Sequence, residues 1–235
     1  MLTDTQLHQL MPRLAAAKLQ LYLPHLNRAM QAYGVDTKQR TAALIAQLAH
    51  ESGEFRWMEE IWGPTDPQRR YEPPGTLAAR LGNTQPGDGK RFKGRGPIQI
   101  TGRFNYMKYG ALLGIDLVAK PELAATPEVA FATAGLYWKS NGLNELADAN
   151  DFLKITRRIN GGTNGLADRQ KYHARALQVL ATGFVAGPAL RGAAARTASA
   201  VPTEPLLRGY ESIRRIRVAG PAAKTPAAKA TRRGG

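Results

Sequence analysis

Glu51 and Glu60 stand nine positions apart in the stretch AHESGEFRWMEEI, parted by Gly53 and the aromatic residues Phe55 and Trp57. Two carboxyl groups facing one cleft can hydrolyse an acetal. One protonates the leaving oxygen, the other activates a water on the opposite face, and inversion needs roughly 6.5–9.5 Å between them. An unbroken helix would set positions nine apart on opposite sides and about 13.5 Å apart along its axis. A break is therefore required, and Gly53 supplies one at least cost. Glu51 is the expected general acid; to hold its proton near neutral pH it needs apolar neighbours, for which Phe55 and Trp57 are at hand. Glu60 is the expected base in a wetter position, with Glu59 beside it as the alternative. The spacing by itself also fits a helix end followed by a solvated acidic patch.

The elements that position these residues read as mainly helical. Asp36, with Gln39 three positions on, marks a helix start. The apolar run Ala42, Ala43, Leu44, Ile45, Leu48, Ala49 then delivers Glu51 at the C-terminal end. Thr126-Pro127-Glu128 opens a second strong helix carrying Trp138 on an apolar face, and Gly142 ends it. Further helices are expected over 151–159, capped by Asn150, and over 167–181. Between Trp62 and Arg95 prolines and glycines crowd a segment too long for a passive connection, with one short helical piece at Thr76–Leu81. It reads as a small lobe or lid of its own. Trp62 and Tyr71 lie in it and are candidates for stacking on sugar faces.

A second block, GRGPIQITGRFNY at 94–106, and a third, INGGTNGLADR at 159–169, follow HESGEF at 50–55. Together these blocks resemble family 19 glycoside hydrolases, the group of plant-type chitinases and many phage endolysins, over roughly residues 23–180. The resemblance implies a lysozyme-like, two-lobed α-helical domain. It implies Glu51 as acid and Glu60, by the family's nine-residue spacing, as base. It also implies that Thr101 holds the attacking water with Glu60, that Gln99 and Asn105 bind sugar amide or hydroxyl groups, that Asn160 contacts substrate and that Arg169 organises the carboxylates. Glu54 departs from the small residue usual at its place. From the residues themselves, Pro97–Thr101 reads as a short extended run with Gln99 and Thr101 on one side. An ordinary polar strand edge reads the same way.

Other chemistries find less support. His50-Glu51 begins an HExxH zinc pattern, but its fifth position is Glu54 and the remaining histidines lack ligand spacing. No metal and no cofactor are expected, and His50 is expected to pack or bond locally. Gly94-Arg95-Gly96 lacks the Lys-Ser/Thr of a phosphate loop. Cysteine is absent, which excludes disulfides and thiolate metal sites.

The chain of 235 residues carries a net charge of +15, and residues 186–235 hold ten Lys/Arg against two Glu. Such a surface attracts polyanions of every kind. The expected division is a catalytic domain over 1–185 and a basic Ala/Pro-rich tail over 186–235, with a short amphipathic helix at 206–218 able to meet anionic lipid or lipopolysaccharide. The first thirty residues show no signal peptide, so the expectation is synthesis in a host cytoplasm and action in the periplasm or cell wall after holin-type permeabilisation. The expected partner is the glycan strand of peptidoglycan, met by a monomer, with no specific nucleic acid. The compact length and the third block favour the endolysin branch. Chitin is the alternative substrate, and a basic binding module with a degenerate cleft is a third reading without a supporting nucleic-acid signature.

Overall fold

The computed structural model describes residues 1–184, and the readings placed on 186–235 lie outside them. The described chain is mainly helical, as expected. Its helices are α1 (Asp4–Leu10), α2 (Ala16–Ala32), α3 (Lys38–Ser52), α4 (Asp66–Arg69), α5 (Thr76–Leu81), α6 (Asp88–Arg91), α7 (Arg103–Leu113), α8 (Pro127–Ser140), α9 (Leu143–Asp148), α10 (Phe152–Asn160) and α11 (Leu166–Val179). A 3-10 turn, Pro121–Ala125, leads into α8.

α3 is buried on every side from Ala42 through Ala49, apolar there but for Gln47, and a helix of that kind belongs in the middle of a domain. α11 packs along it, α2 packs on α8, and α1 joins the two pairs through α2 and α11. The N-cap of α3 is Thr37, whose hydroxyl accepts from Arg40 N at 3.2 Å. This corrects the expected Asp36 by one position. The Asp36 carboxylate instead pairs with the Arg40 guanidinium at 3.0 Å, a neighbour one helical turn on. Likewise α10 is capped by the Asp151 side chain and not by Asn150, and Gly142, at φ +60°, opens α9 just after α8 has closed on Asn141.

The expected break after Glu51 is real and wider than one glycine. Gly53, Glu54 and Phe55 lie in succession at φ +60°, +61° and +59°. A left-handed conformation costs an L-residue about 1–2 kcal/mol, so Glu54 and Phe55 need compensation. Phe55 finds it in burial: its ring meets Tyr22 at 6.0 Å and Phe131 at 5.0 Å, edge to face, joining α2, the turn and α8. Glu54 finds it in charge-assisted bonds. Its carboxylate, 3 % exposed, accepts from Arg13 N at 2.7 Å, Arg13 Nε at 2.9 Å and the Tyr172 hydroxyl at 2.8 Å. The Ser52 hydroxyl closes the turn by accepting from Phe55 N.

Residues 62–95 form the small lobe, with three short helices where the sequence suggested one. Helices of four residues carry too little periodicity to be seen by pattern, although Thr65-x-x-Gln68 is a capping box that announces α4. Tyr71, Leu77 and Leu81 make a separate apolar cluster with Trp62 against it. The lobe is fastened to α7 by Asp88, 2 % exposed, which accepts from Arg103 Nε at 2.8 Å and Nη2 at 2.6 Å. Gly102, at φ +90°, lets α7 begin against α5; a Cβ there would stand 2.6 Å from the Leu81 carbonyl.

Asp88 makes stability pH-dependent. Burial pushes its carboxyl up, but the bonds from Arg103 and from the amides of Gln85 and Thr84 outweigh burial and hold it below its usual value near 3.8. A carboxyl depressed in the folded state stabilises fully above its unfolded value, and that contribution is lost as pH falls through the folded one. The wild type should therefore unfold at lower urea as pH is lowered from 5 towards 3. Asp88→Asn should be less stable at neutral pH, by about 1–3 kcal/mol, with a flatter acid limb. An acid limb of unchanged slope in the variant rules Asp88 out as its source.

Candidate active site

Glu51 sits in the last turn of α3 with its side chain 21 % exposed. One turn back on the same face is Gln47, buried. Arg169, 2 % exposed, reaches both from α11: Nη2 donates to Glu51 Oε1 at 2.7 Å, and Nη1 donates to Gln47 Oε1. Its Nε turns to the Asn164 carbonyl at 3.3 Å, which also accepts from Asn160 Nδ2 at 3.0 Å. Arg169 and Asn160 thus meet on one carbonyl of the loop between α10 and α11. His50 bonds through Nδ1 to Asp168 Oδ2 at 2.6 Å, a partner distant in sequence where a local one was expected. Gly165 is indispensable to that contact, since at φ +69° its Cβ would fall 2.3 Å from the His50 ring.

Glu60 belongs to a different framework. Its amide donates to Gly94 O at 2.8 Å while Gly96 N donates to Met58 O at 2.8 Å, so 58–60 pairs with 94–96 as a fragment of β ladder. Successive side chains in such a strip point to opposite faces. Glu60 accordingly accepts from Gly94 N at 2.9 Å and from Gln68 Nε2 at 3.1 Å. Glu59 is turned to Lys93 Nζ at 3.2 Å and Arg95 Nε at 3.0 Å. Arg95 is itself buried and donates to the Tyr106 hydroxyl, whose phenol burial pushes up. The two glutamates that the sequence left as alternatives are therefore held in unlike environments. Glu59 is locked between two cations, and Glu60 is positioned by amide donors.

The expected extended run 97–101 is a tight turn. Gly96 lies at φ +77° and Gln99 at +56°, and Ile100 folds back to exchange both backbone bonds with Arg95, at 2.9 and 3.1 Å. Strand alternation does not relate Gln99 to Thr101. A direct bond does: Thr101 Oγ1 donates to Gln99 O at 3.0 Å, and Asn105 Nδ2 donates to Thr101 O at 2.8 Å. Gln99 Nε2 reaches Trp57 O at 3.2 Å, tying this turn to the chain between the two glutamates. Phe55 lies wholly in the core, and Trp57 is 45 % exposed. Tyr71 is 2 % exposed, its ring 6.2 Å from that of Trp62. That burial corrects its reading as a stacking platform, because no ring face is left for a sugar; Trp62 is partly exposed and keeps that reading. Trp138 is core, as expected, with Nε1 donating to Asn144.

Sequence reasoning missed Gln47, Gln68, Asn164 and Asp168. Of these, Gln68 had a signal in its capping box; the others touch the site through packing between remote segments. Among the described residues no group of three or more His, Asp or Glu is placed to hold a metal.

A helical domain with a small lobe carries Glu51 before a left-handed turn and Glu60 on the strip beyond it, an arrangement open to glycosidic-bond hydrolysis. Comparison with known proteins agrees. The family described as chitinase class I, glycosyl hydrolase family 19, matches residues 28–161. The chain belongs to this family and is a glycoside hydrolase. It is 34 % identical over 203 residues to a family 19 domain-containing protein of Haemophilus influenzae, covering 76 % of this chain and 96 % of that one. It is 42 % identical over 130 residues to an endochitinase of Arabidopsis thaliana, covering 55 % of this chain and 42 % of the relative, so the chain spans well under half of that plant protein. The crystal structure of chitinase C from Streptomyces griseus superimposes with a TM-score of 0.62 at 27 % identity, covering 79 % of this chain and 94 % of that one.

Proposed function

We propose that this glycosidase cleaves β-1,4 bonds of peptidoglycan with inversion, in the manner of an endolysin. Glu51 protonates the leaving oxygen, Glu60 takes a proton from the attacking water, and Thr101 shares the placing of that water. Gln99, Asn105 and Asn160 bind the sugar's amide and hydroxyl groups, Trp62 supplies a stacking face, and Arg169 holds Glu51 in place. The observation that carries this reading is the separation of the two carboxylates into independent frameworks, one on α3 and α11, the other on the 58–60 strip and Gln68. Two carboxyl groups held by separate frameworks can be presented independently, one to the leaving oxygen and one to the water.

Peptidoglycan is supported by charge, since a chain of +15 is drawn to an acidic cell-wall polymer. Chitin is a second reading, favoured by the names of the plant and Streptomyces relatives. The basic segment 186–235 would add attraction to anionic envelope lipid or lipopolysaccharide. Turbidity loss of outer-membrane-permeabilised bacteria, measured beside sugar release from chitin, decides the substrate. We expect rapid clearing, little soluble chitin product, and an α configuration at the first-formed reducing end by NMR. Sugar released from chitin with no clearing reverses the assignment, and a β product overturns the mechanism. A chain ending at Gly187 should keep its activity on purified peptidoglycan and lose it on intact cells; equal activity on both removes the role given to the tail.

A further inference from the structure

Along the turn that follows α3 the surface carries a trough of about 310 Å3 whose lining includes Leu14, Lys18, Gly53, Arg56 and Trp57. We propose that this trough is a subsite for a carboxylate-bearing substituent of the glycan, so that it selects a peptide- or lactyl-substituted chain over a neutral one. The proposal rests on the peptidoglycan reading above.

The trough is built by the left-handed turn. Gly53, two residues beyond Glu51, forms part of its wall, and a Cβ at that position would press on the Trp57 ring at 3.1 Å. The Trp57 indole is 45 % exposed, an unusual cost for so large an apolar side chain in water. The Arg56 guanidinium lies over that indole at 4.7 Å, which fixes the plane of its donors before any ligand arrives. Lys18 Nζ reaches the Arg56 carbonyl at 3.5 Å, bringing a second cation to the same turn. Among the described residues neither Lys18 nor Arg56 has an acidic ion-pair partner. Glu54 also lines the trough, but its oxygens are taken by Arg13 and Tyr172 and its side chain is buried.

Two cations without counter-charges, one of them held flat against an aromatic ring, are suited to a carboxylate beside a sugar or short peptide arm. The volume lies at the low end of small-ligand sites, roughly 300–1,000 Å3. A neutral polysaccharide would leave both charges uncompensated. The trough is tied to the proposed catalytic residues through the chain: Trp57 O accepts from Gln99, and Gly53 caps the helix that carries Glu51.

The test compares the wild type with Lys18→Gln/Arg56→Gln on three substrates: disaccharide-tetrapeptide chains from peptidoglycan, the same chains with their carboxyl groups methyl-esterified, and chitohexaose. For the double variant, kcat/KM on the free-acid chains relative to chitohexaose should fall about tenfold, chiefly through KM, and Arg56→Lys should restore part of it. The esterified chains should not show that fall. Equal losses on all three substrates, or none, overturn the proposal. Should the wild type leave peptidoglycan uncut, binding is measured with Glu51→Gln by quenching of tryptophan fluorescence. Tighter binding of the free-acid than of the esterified chains then upholds the trough while the peptidoglycan reading fails. Equal binding of the two, or equal binding of inorganic polyphosphate, reduces it to general attraction of anions and overturns it.

Discussion

Glu51→Gln should lower kcat by about 10²–10⁴-fold while the protein stays folded. The amide keeps an oxygen for Arg169 Nη2 and nearly the same shape, so what is removed is the transferable proton. Arg169 would then face a neutral partner in a nearly dry position, at a cost of roughly 1–2 kcal/mol. Thermal unfolding should still show one cooperative transition a few degrees lower. Retention of a tenth of wild-type activity would exclude Glu51 as the acid. The companion changes sort the base. Glu60 accepts from Gln68 on one oxygen and from Gly94 N on the other, and a glutamine can accept on one side alone. Glu60→Gln should thus combine a loss of activity of similar size with a loss of stability. Glu59→Gln breaks the pairs with Lys93 and Arg95 but should leave most of the activity; the reverse order would move the base to Glu59. Thr101→Ala should be intermediate, because water placement is shared.

Arg169→Met should produce the largest combined effect. Methionine fills much of the volume of the arginine, so the change isolates its donors. Gln47 Oε1, the Asn164 carbonyl and Glu51 Oε1 each lose a partner, and Gln47 is buried. Glu51, 21 % exposed, recovers part of the loss from water. We expect about 3 kcal/mol less stability in urea unfolding and at least a tenfold lower kcat, since α3 and α11 lose the pin that aligns the acid. Arg169→Lys supplies one compact charge in place of a flat fork and should recover stability better than kcat. A variant within about 1 kcal/mol of wild type with full kcat would show that Glu51 is aligned by backbone alone.

The helices around Glu51 were legible because apolar runs, glycines and caps act through local rules, whereas the proposed roles of Gln99, Thr101, Asn105, Asn160 and Arg169 came from the family resemblance. Ala42–Ala49 reads as a buried helix, Gly53 ends it, Thr76–Leu81 is the short helical piece expected, and the next long helix starts at Pro127 as its Thr-Pro-Glu opening says. Orientation was not legible. Nothing near Glu59 and Glu60 in sequence tells which faces two cations; that depends on the pairing of 58–60 with 94–96, 34 or more residues away. Pro97–Thr101 has the composition of a strand, yet positive φ at Gly96 and Gln99 and the bonds between Arg95 and Ile100 make it a turn. Tyr71 is aromatic in a Gly/Pro-rich segment, which suggested a ligand face, until the three short helices of the small lobe closed around it. Above all, Arg169 and Asp168 reach Glu51 and His50 across 118 residues because α11 lies along α3. The sequence determined which groups would be present and where the helix that bears Glu51 must stop. Only the packing of remote helices decided which of those groups would touch, because such contacts are set by the fit of whole apolar faces and leave no periodicity in the residues that use them.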